Sequence, residues 1–287
     1  MNMNFRLKFK SYRKHPFSLF LFLLVYAAAF VTLATIVFMV GYIFIKGIPH
    51  ITPSLFATKY TSENVSLLPS VFNTLIMVFG ALLIAVPLGI FSAVYLVEYA
   101  RRGNRLVGII RLTSETLSGI PSIVYGLFGM LFFVTALHLG YSLLAGIFTI
   151  ALMILPLMMR TTEEALKMVP DTYREGSFGL GAGKLRTVVS VILPVAIPGI
   201  LAGVILSIGR IVGETAALIY TAGTVADFPK DIFSSGRTLS VHMYALSKEG
   251  LHTDQAYATA VVLLFLVLMI NAASNALAKK VRKNDGK

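Results

Sequence analysis

Apolar residues gather in long, nearly unbroken blocks along this chain, and short polar segments rich in Lys and Arg separate them. An apolar helix needs about 20 residues to cross a bilayer. Six blocks meet that length: 19–45, roughly 70–97, two between Arg111 and Arg160 divided by "HLGYS" at 138–142, roughly 191–220, and roughly 256–278. The expected fold class is therefore an all-α integral membrane protein with six transmembrane helices. The block at 19–45 follows Arg6, Lys8, Lys10, Arg13 and Lys14. It exceeds the apolar core of about 7–15 residues in a cleaved leader, so an uncleaved anchor is expected. Pro87, Pro121, Pro156, Pro194 and Pro198 lie in or beside spans. Each frees backbone groups that need partners in protein or water. Gly119, Gly126 and Gly129 surround Pro121 in "SGIPSIVYGLFG" (118–129), which suits a bend or close helix packing.

Composition identifies the solvent. Of 287 residues, 56% are hydrophobic and 13% charged, against about 25% charged in soluble domains. Mean hydropathy is +0.80. Cysteine is absent, which removes disulfides and thiolate metal sites. A net charge of +12 would suggest nucleic acid in a soluble chain, but here the basic residues flank apolar blocks, as topology signals do. Assigned to alternate sides, the segments between spans carry nineteen Lys and Arg on one side and five on the other. The rule of positive loops inside then puts both termini and residues 160–190 in the cytoplasm. The expected organisation is a basic tail at 1–18, a transmembrane domain at 19–278 containing the 160–190 loop, and a basic tail at 279–287.

"SFGLGAGKLR" (177–186) has the composition of a phosphate-cradling loop but not its positions. A P-loop, G-x-x-x-x-G-K-[ST], would need glycine at Phe178 and a hydroxyl at Leu185. A dinucleotide loop would need glycine at Lys184. No nucleotide site is expected in this chain. The wider stretch "EGSFGLGAGKLRTVVSVILP" (175–194) places Glu175-Gly176-Ser177, then Gly181, then Val191-x-Leu193-Pro194. It resembles the cytoplasmic signature of ABC-importer permeases, E-A-A, three residues, G, nine residues, I-x-L-P. Pro170 and Asp171 suit the start of a short helix, and the glycines at 179, 181 and 183 suit a sharp turn after it. The resemblance implies that Glu175, Gly176, Ser177, Gly181, Leu193 and Pro194 dock onto a separate ATPase subunit.

The block near 191–220 contains "SIGRIVGETAAL" (207–218), where Arg210 and Glu214 are the ionisable residues. A charge near the bilayer centre costs at least about 2.5–3.5 kcal/mol. A spacing of four puts both on one helix face, where they are expected to pair. Gly209 and Gly213 share that spacing and suit a packing face. Arg210 lies about 24 Å along the helix from Pro194. A guanidinium binds oxyanions through paired donors, so Arg210 and Glu214 are expected on a substrate pathway. A structural ion pair is the competing reading.

"RTTEEALKMVP" (160–170), "LPVAIPGILAGVILSIGRIVGETAAL" (193–218) and "SGIPSIVYGLFG" resemble the PstA family of phosphate-importer permeases, strongest over 111–220. Ala217 departs from the proline of many relatives. The resemblance implies a MetI-like permease fold that supplies half of a phosphate pathway and works by alternating access. It implies a PstC-like permease as heterodimer partner, an ATPase dimer and an extracytoplasmic phosphate-binding protein. ATP and Mg would sit on the ATPase, and no catalytic residue, cofactor or metal is expected in this chain. The alternatives are a permease for another oxyanion, such as molybdate or sulfate, and an ATPase-independent secondary anion transporter. Residues 236–250 suit a short amphipathic helix in an outer loop that could contact the binding protein. His242 and His252 lack a metal-ligand pattern and are expected to be solvated. Glu163 and Glu164 are assigned to docking or loop solvation.

Overall fold

The computed structural model describes residues 16–284 except 102, with side chains for 17–276 except 102. The basic residues from Arg6 to Lys14 lie outside the described residues, as do the side chains of the 279–287 tail. Every regular element among the described residues is helical. That is the expected solution in lipid, where a helix satisfies its own backbone.

Five continuous helices are long and apolar enough to cross a membrane. They are α1 (Pro16–Gly47), α2 (Leu68–Val94) with a π-helical turn at Tyr95–Tyr99, α5 (Leu143–Lys167), α8 (Leu193–Val212), and α11 (Thr253–Asn284). The helix of α8 begins earlier in the chain, through α7 (Lys184–Thr187) and a π-helical turn at Val188–Ile192. Pro87, Pro156 and Pro198 lie inside α2, α5 and α8.

The third expected span departs from a simple rod. It is a pair, α3 (Arg105–Ser118) and α4 (Ser122–Gly129), with α4 continued by a π-helical stretch at Met130–Ala136. The two limbs meet at 102°. Pro121 has no N–H and disfavours helical geometry before it. Tyr125 Oη donates to the Leu117 carbonyl at 2.9 Å, which satisfies a helix-end group freed by the break. α3 is amphipathic: Arg111, Ser114, Glu115 and Ser118 share one face, while the apolar Leu106, Ile109 and Leu112 are exposed on another. Its Asn104 cap accepts from Leu106 N at 3.0 Å.

α2, α5 and α8 form the central layer, and α5 is the most buried span. Glycine permits the tightest approach. A Cβ added at Gly89 would lie 2.7 Å from Met158 Cβ, so α2 and α5 meet backbone to side chain. The main core joins Met77, Ile150, Ile154, Ile211 and Leu218. A second core lies at the end where α2 starts. It joins Leu55, Val65 and Leu67 of the 48–67 segment to Leu239 and Leu246 of α10 (Leu239–Glu249). α10 falls within the helix expected at 236–250.

His242 on α10 is not solvated as expected; it is fully buried. Its helix turns that face onto the 60–65 segment, with the Tyr60 ring edge-on at 6.4 Å. Arg237, also buried, stacks over the same tyrosine at 4.8 Å. Burial, and secondarily the Arg237 charge, lower the His242 pKa from 6.5 to about 3. A histidine depressed in the folded state opposes folding as acid charges it in the unfolded chain first. Stability is full above pH 6.5 and falls by about 1.4 kcal/mol per pH unit as pH drops toward 3. Thermal unfolding in detergent should show this slope between pH 6.5 and 5 in the native chain and lose it in His242→Gln; equal slopes in both would overturn the assignment.

Candidate functional site

α8 ends at Val212, and Gly213-Glu214-Thr215 break the chain before α9 (Ala216–Ile219). This break changes the expected Arg210–Glu214 pair. The two side chains no longer share one continuous helix face, and no ion pair within 4 Å joins them. The Glu214 carboxylate instead accepts from Ala217 N at 3.0 Å, capping α9. Its backbone carbonyl accepts from Ser240 Oγ at 2.6 Å. Glu214 is buried and holds the break closed from both ends. Gly209 faces open space and Gly213 approaches only its own helix, so they form no packing face within this chain. Gly126 of α4 does pack against this region: a Cβ there would lie 2.8 Å from Ala217 Cα.

Arg210 is half-buried and has no ion-pair partner among the described residues. Helix side chains tilt toward the helix N-terminus, which directs Arg210 back along α8 toward Pro194. There it lines a cavity of about 490 Å³ between α3, α5 and α8. Arg111, Arg160 and Lys167 line the same cavity. Three of these four cations are ion-paired, two of them with a single carboxylate, and Glu115 also lines the cavity. Glu163 lies 2.8 Å from Arg111 Nη2 and 2.6 Å from Lys167 Nζ. Glu164 Oε1 accepts from Arg160 Nε at 3.1 Å. Arg210 is the one left over. An unpaired guanidinium facing a cavity of this volume can accept an oxyanion without first breaking an ion pair.

The sequence signal for this site was incomplete. Glu163 is not a solvating loop residue; it is buried against the cavity between two cations. α5 extends to Lys167, so "RTTEEALK" is helix and its 160, 163, 164 and 167 positions share a face. The i, i+3, i+4, i+7 spacing carried that signal.

The second sequence-derived site follows the C-terminal end of α5, the end that lines the cavity. α6 (Asp171–Gly179) follows Pro170, as expected from the order Pro-Asp. Glu175 and Gly176 are exposed on it, and Ser177 Oγ lies 2.8 Å from Thr187 Oγ1 of α7. Of the glycines expected to turn the chain, Gly181 alone takes the left-handed conformation, with φ +80°. Gly179 is still helical and Gly183 is extended. Gly181 N and Ala182 N donate back to Phe178 and Ser177 carbonyls, closing the helix end. Leu193 and Pro194 are half-buried at the start of α8, away from the tip. Phe178, Leu180 and Leu185 stand exposed around the turn, with Leu180 at 91%. A Cβ added at Gly176 or Gly181 would meet nothing within 4 Å, so the space beside both is open.

Comparison with known proteins gives a consistent result. The family described as "Binding-protein-dependent transport system inner membrane component" matches residues 85–283. The probable ABC transporter permease protein YqgI of Bacillus subtilis (strain 168) is 34% identical over 87% of this chain and 91% of its own. The phosphate transport system permease protein PstA 1 of Mycobacterium tuberculosis (strain CDC 1551 / Oshkosh) is 35% identical over 71% of this chain and 68% of its own. Among solved structures, a bacterial ABC transporter involved in import of the acidic polysaccharide alginate superposes with a TM-score of 0.67 at 17% identity. That match covers 96% of this chain and 99% of the other, and establishes an ABC-importer permease fold.

The capping role of Glu214 separates shape from charge. Glu214→Gln keeps the acceptor for Ala217 N and should preserve thermal stability in detergent. Glu214→Ala should lose about 1 kcal/mol, the usual value of a cap. Equal stability of Ala and native proteins would overturn the cap.

Proposed function

The chain belongs to the binding-protein-dependent transport system inner-membrane components, and from that premise we propose that it is the PstA-type permease subunit of an ATP-driven importer of inorganic phosphate. It is a multi-pass membrane permease of an ABC importer. A PstC-like permease would complete the pathway, an ATPase dimer would bind ATP and Mg, and an extracytoplasmic phosphate-binding protein would deliver the substrate. The excess of Lys and Arg on one side supports cytoplasmic termini and a cytoplasmic 160–190 segment.

The observation that carries the anion reading is Arg210, the cation lining the cavity that makes no ion pair among the described residues, where four cations face three carboxylates, Glu115, Glu163 and Glu164. Its planar fork suits the oxygens of phosphate. Phosphate in particular rests on relatives named as phosphate permeases. Glu214 contributes by fixing the break after Val212, which leaves Arg210 free for substrate. Glu175, Gly176, Ser177 and Gly181 would face the ATPase, while Leu193 and Pro194 carry its movement into α8. ATP binding would close the docking ends together, and hydrolysis would reset them.

Reconstitution in proteoliposomes with the partner subunits should give ATP-dependent uptake of radiolabelled phosphate that molybdate and sulfate compete for poorly. Uptake in which either competitor displaces phosphate at equal concentration would move the assignment to that oxyanion. Arg210→Ala should lower uptake at least about 10-fold with assembly intact, the value of one lost charged contact of about 1.5–3 kcal/mol. Native-like uptake by that variant would remove Arg210 from the pathway. For docking, Glu175→Lys and Gly181→Asp should abolish stimulation of ATP hydrolysis by loaded binding protein. Full stimulation in both would place the ATPase contact elsewhere.

A further inference from the structure

The docking helix α6 is nine residues long and buries none of them, so its own packing cannot hold it in place. One side chain on it does. Arg174 reaches inward and uses all five of its N–H donors. Nε donates to Glu98 Oε1 at 3.1 Å, and Nη2 donates to the same oxygen at 2.7 Å. Nη2 also donates to the Leu166 carbonyl at 3.0 Å. Nη1 donates to the Val169 carbonyl at 2.8 Å and to Asp171 Oδ1 at 3.1 Å. Side-chain exposure is 16% for Arg174 and 8% for Glu98, so water competes weakly for the pair.

These partners belong to three separate elements. Glu98 sits in the π-helical turn that ends α2. Leu166 and Val169 lie at the C-terminal end of α5, where carbonyls lack intrahelical partners. Asp171 begins α6 itself. Thr187 and Lys184 of α7 add two lighter ties, to Ser177 and to the Tyr99 ring at 5.0 Å.

We propose that Arg174 with Glu98 is the joint that makes α6 move as one body with the ends of α2 and α5, and so couples the ATPase to both central spans. Arg174 is a positioning residue: it touches neither substrate nor ATPase. The proposal rests on the docking role assigned above to Glu175 and Gly181. Lysine cannot replace this arginine. It has three donors on a single atom and cannot span a carboxylate and two carbonyls in a fixed fork.

The test uses the reconstituted four-component importer with Arg174→Lys, and Glu98→Gln as a second variant that keeps the side-chain shape. Two quantities are read. The first is amide hydrogen exchange over 171–179, with 143–160 as the internal reference. The second is phosphate transported per ATP hydrolysed. Exchange over 171–179 should rise at least tenfold in Arg174→Lys with the reference unchanged, and transport per ATP should fall at least fivefold while hydrolysis continues. Glu98→Gln should shift both readings in the same direction. Unchanged exchange in both variants overturns the joint, whatever the importer carries. Raised exchange with an unchanged transport ratio overturns its coupling role. A native complex that binds its ATPase but takes up no phosphate rejects the substrate reading alone, since exchange and stimulated hydrolysis still judge the joint.

Discussion

Hydrocarbon offers the backbone no hydrogen bonds, so a helix that breaks within a span needs partners from protein or water for the groups it frees, and a break beyond the span gains order from them as well. The breaks obey this closely. After Ser118 the Leu117 carbonyl takes the Tyr125 hydroxyl. After Val212 the Glu214 carbonyl takes Ser240 Oγ, and the Glu214 carboxylate takes Ala217 N. After Lys167 the Leu166 and Val169 carbonyls take the Arg174 guanidinium. In each case a polar side chain remote from, or just beyond, the break closes it.

Those three closures also locate the working parts. The break between α3 and α4 folds α3 against α5 and makes one wall of the Arg210 cavity. The break after α8 draws Glu214 away from Arg210 and leaves the guanidinium uncommitted. The closure after α5 holds α6 to two spans. A rod-like bundle would supply none of these. The cost of interrupting a helix in lipid is offset here by groups that also set the geometry of the cavity and of α6.

Charge is distributed by the same economy. Around the cavity, Glu163 pairs with both Arg111 and Lys167, and Glu164 pairs with Arg160. Arg210 makes no ion pair among the described residues. At the opposite end Arg237 and His242 are buried around Tyr60, and the histidine is held neutral. Glycine does the remaining work where backbones meet. Gly89 lets α2 approach Met158 on α5, and Gly126 lets α4 approach Ala217. Neither contact has room for a methyl group.

The amino-acid sequence determined what depends on local pattern and solvent. Block length specified the spans, and Pro170-Asp171 with Gly181 specified a short helix and its turn. Burial of α1 against the rest of the chain was never needed, because lipid satisfies its apolar surface as well as protein does; its spanning window is unburied in this chain. Tertiary structure alone decided which polar groups meet. Arg210 and Glu214 look like an i, i+4 pair until the helix ends between them. Glu163 looks like a loop carboxylate until α5 runs on and turns it toward Arg111, and His242 looks solvated until α10 folds onto Tyr60. Arg174 and Glu98 stand 76 positions apart, and no periodicity links them. A helical repeat reports contacts three or four residues away, whereas a guanidinium finds its carboxylate only after the spans have packed.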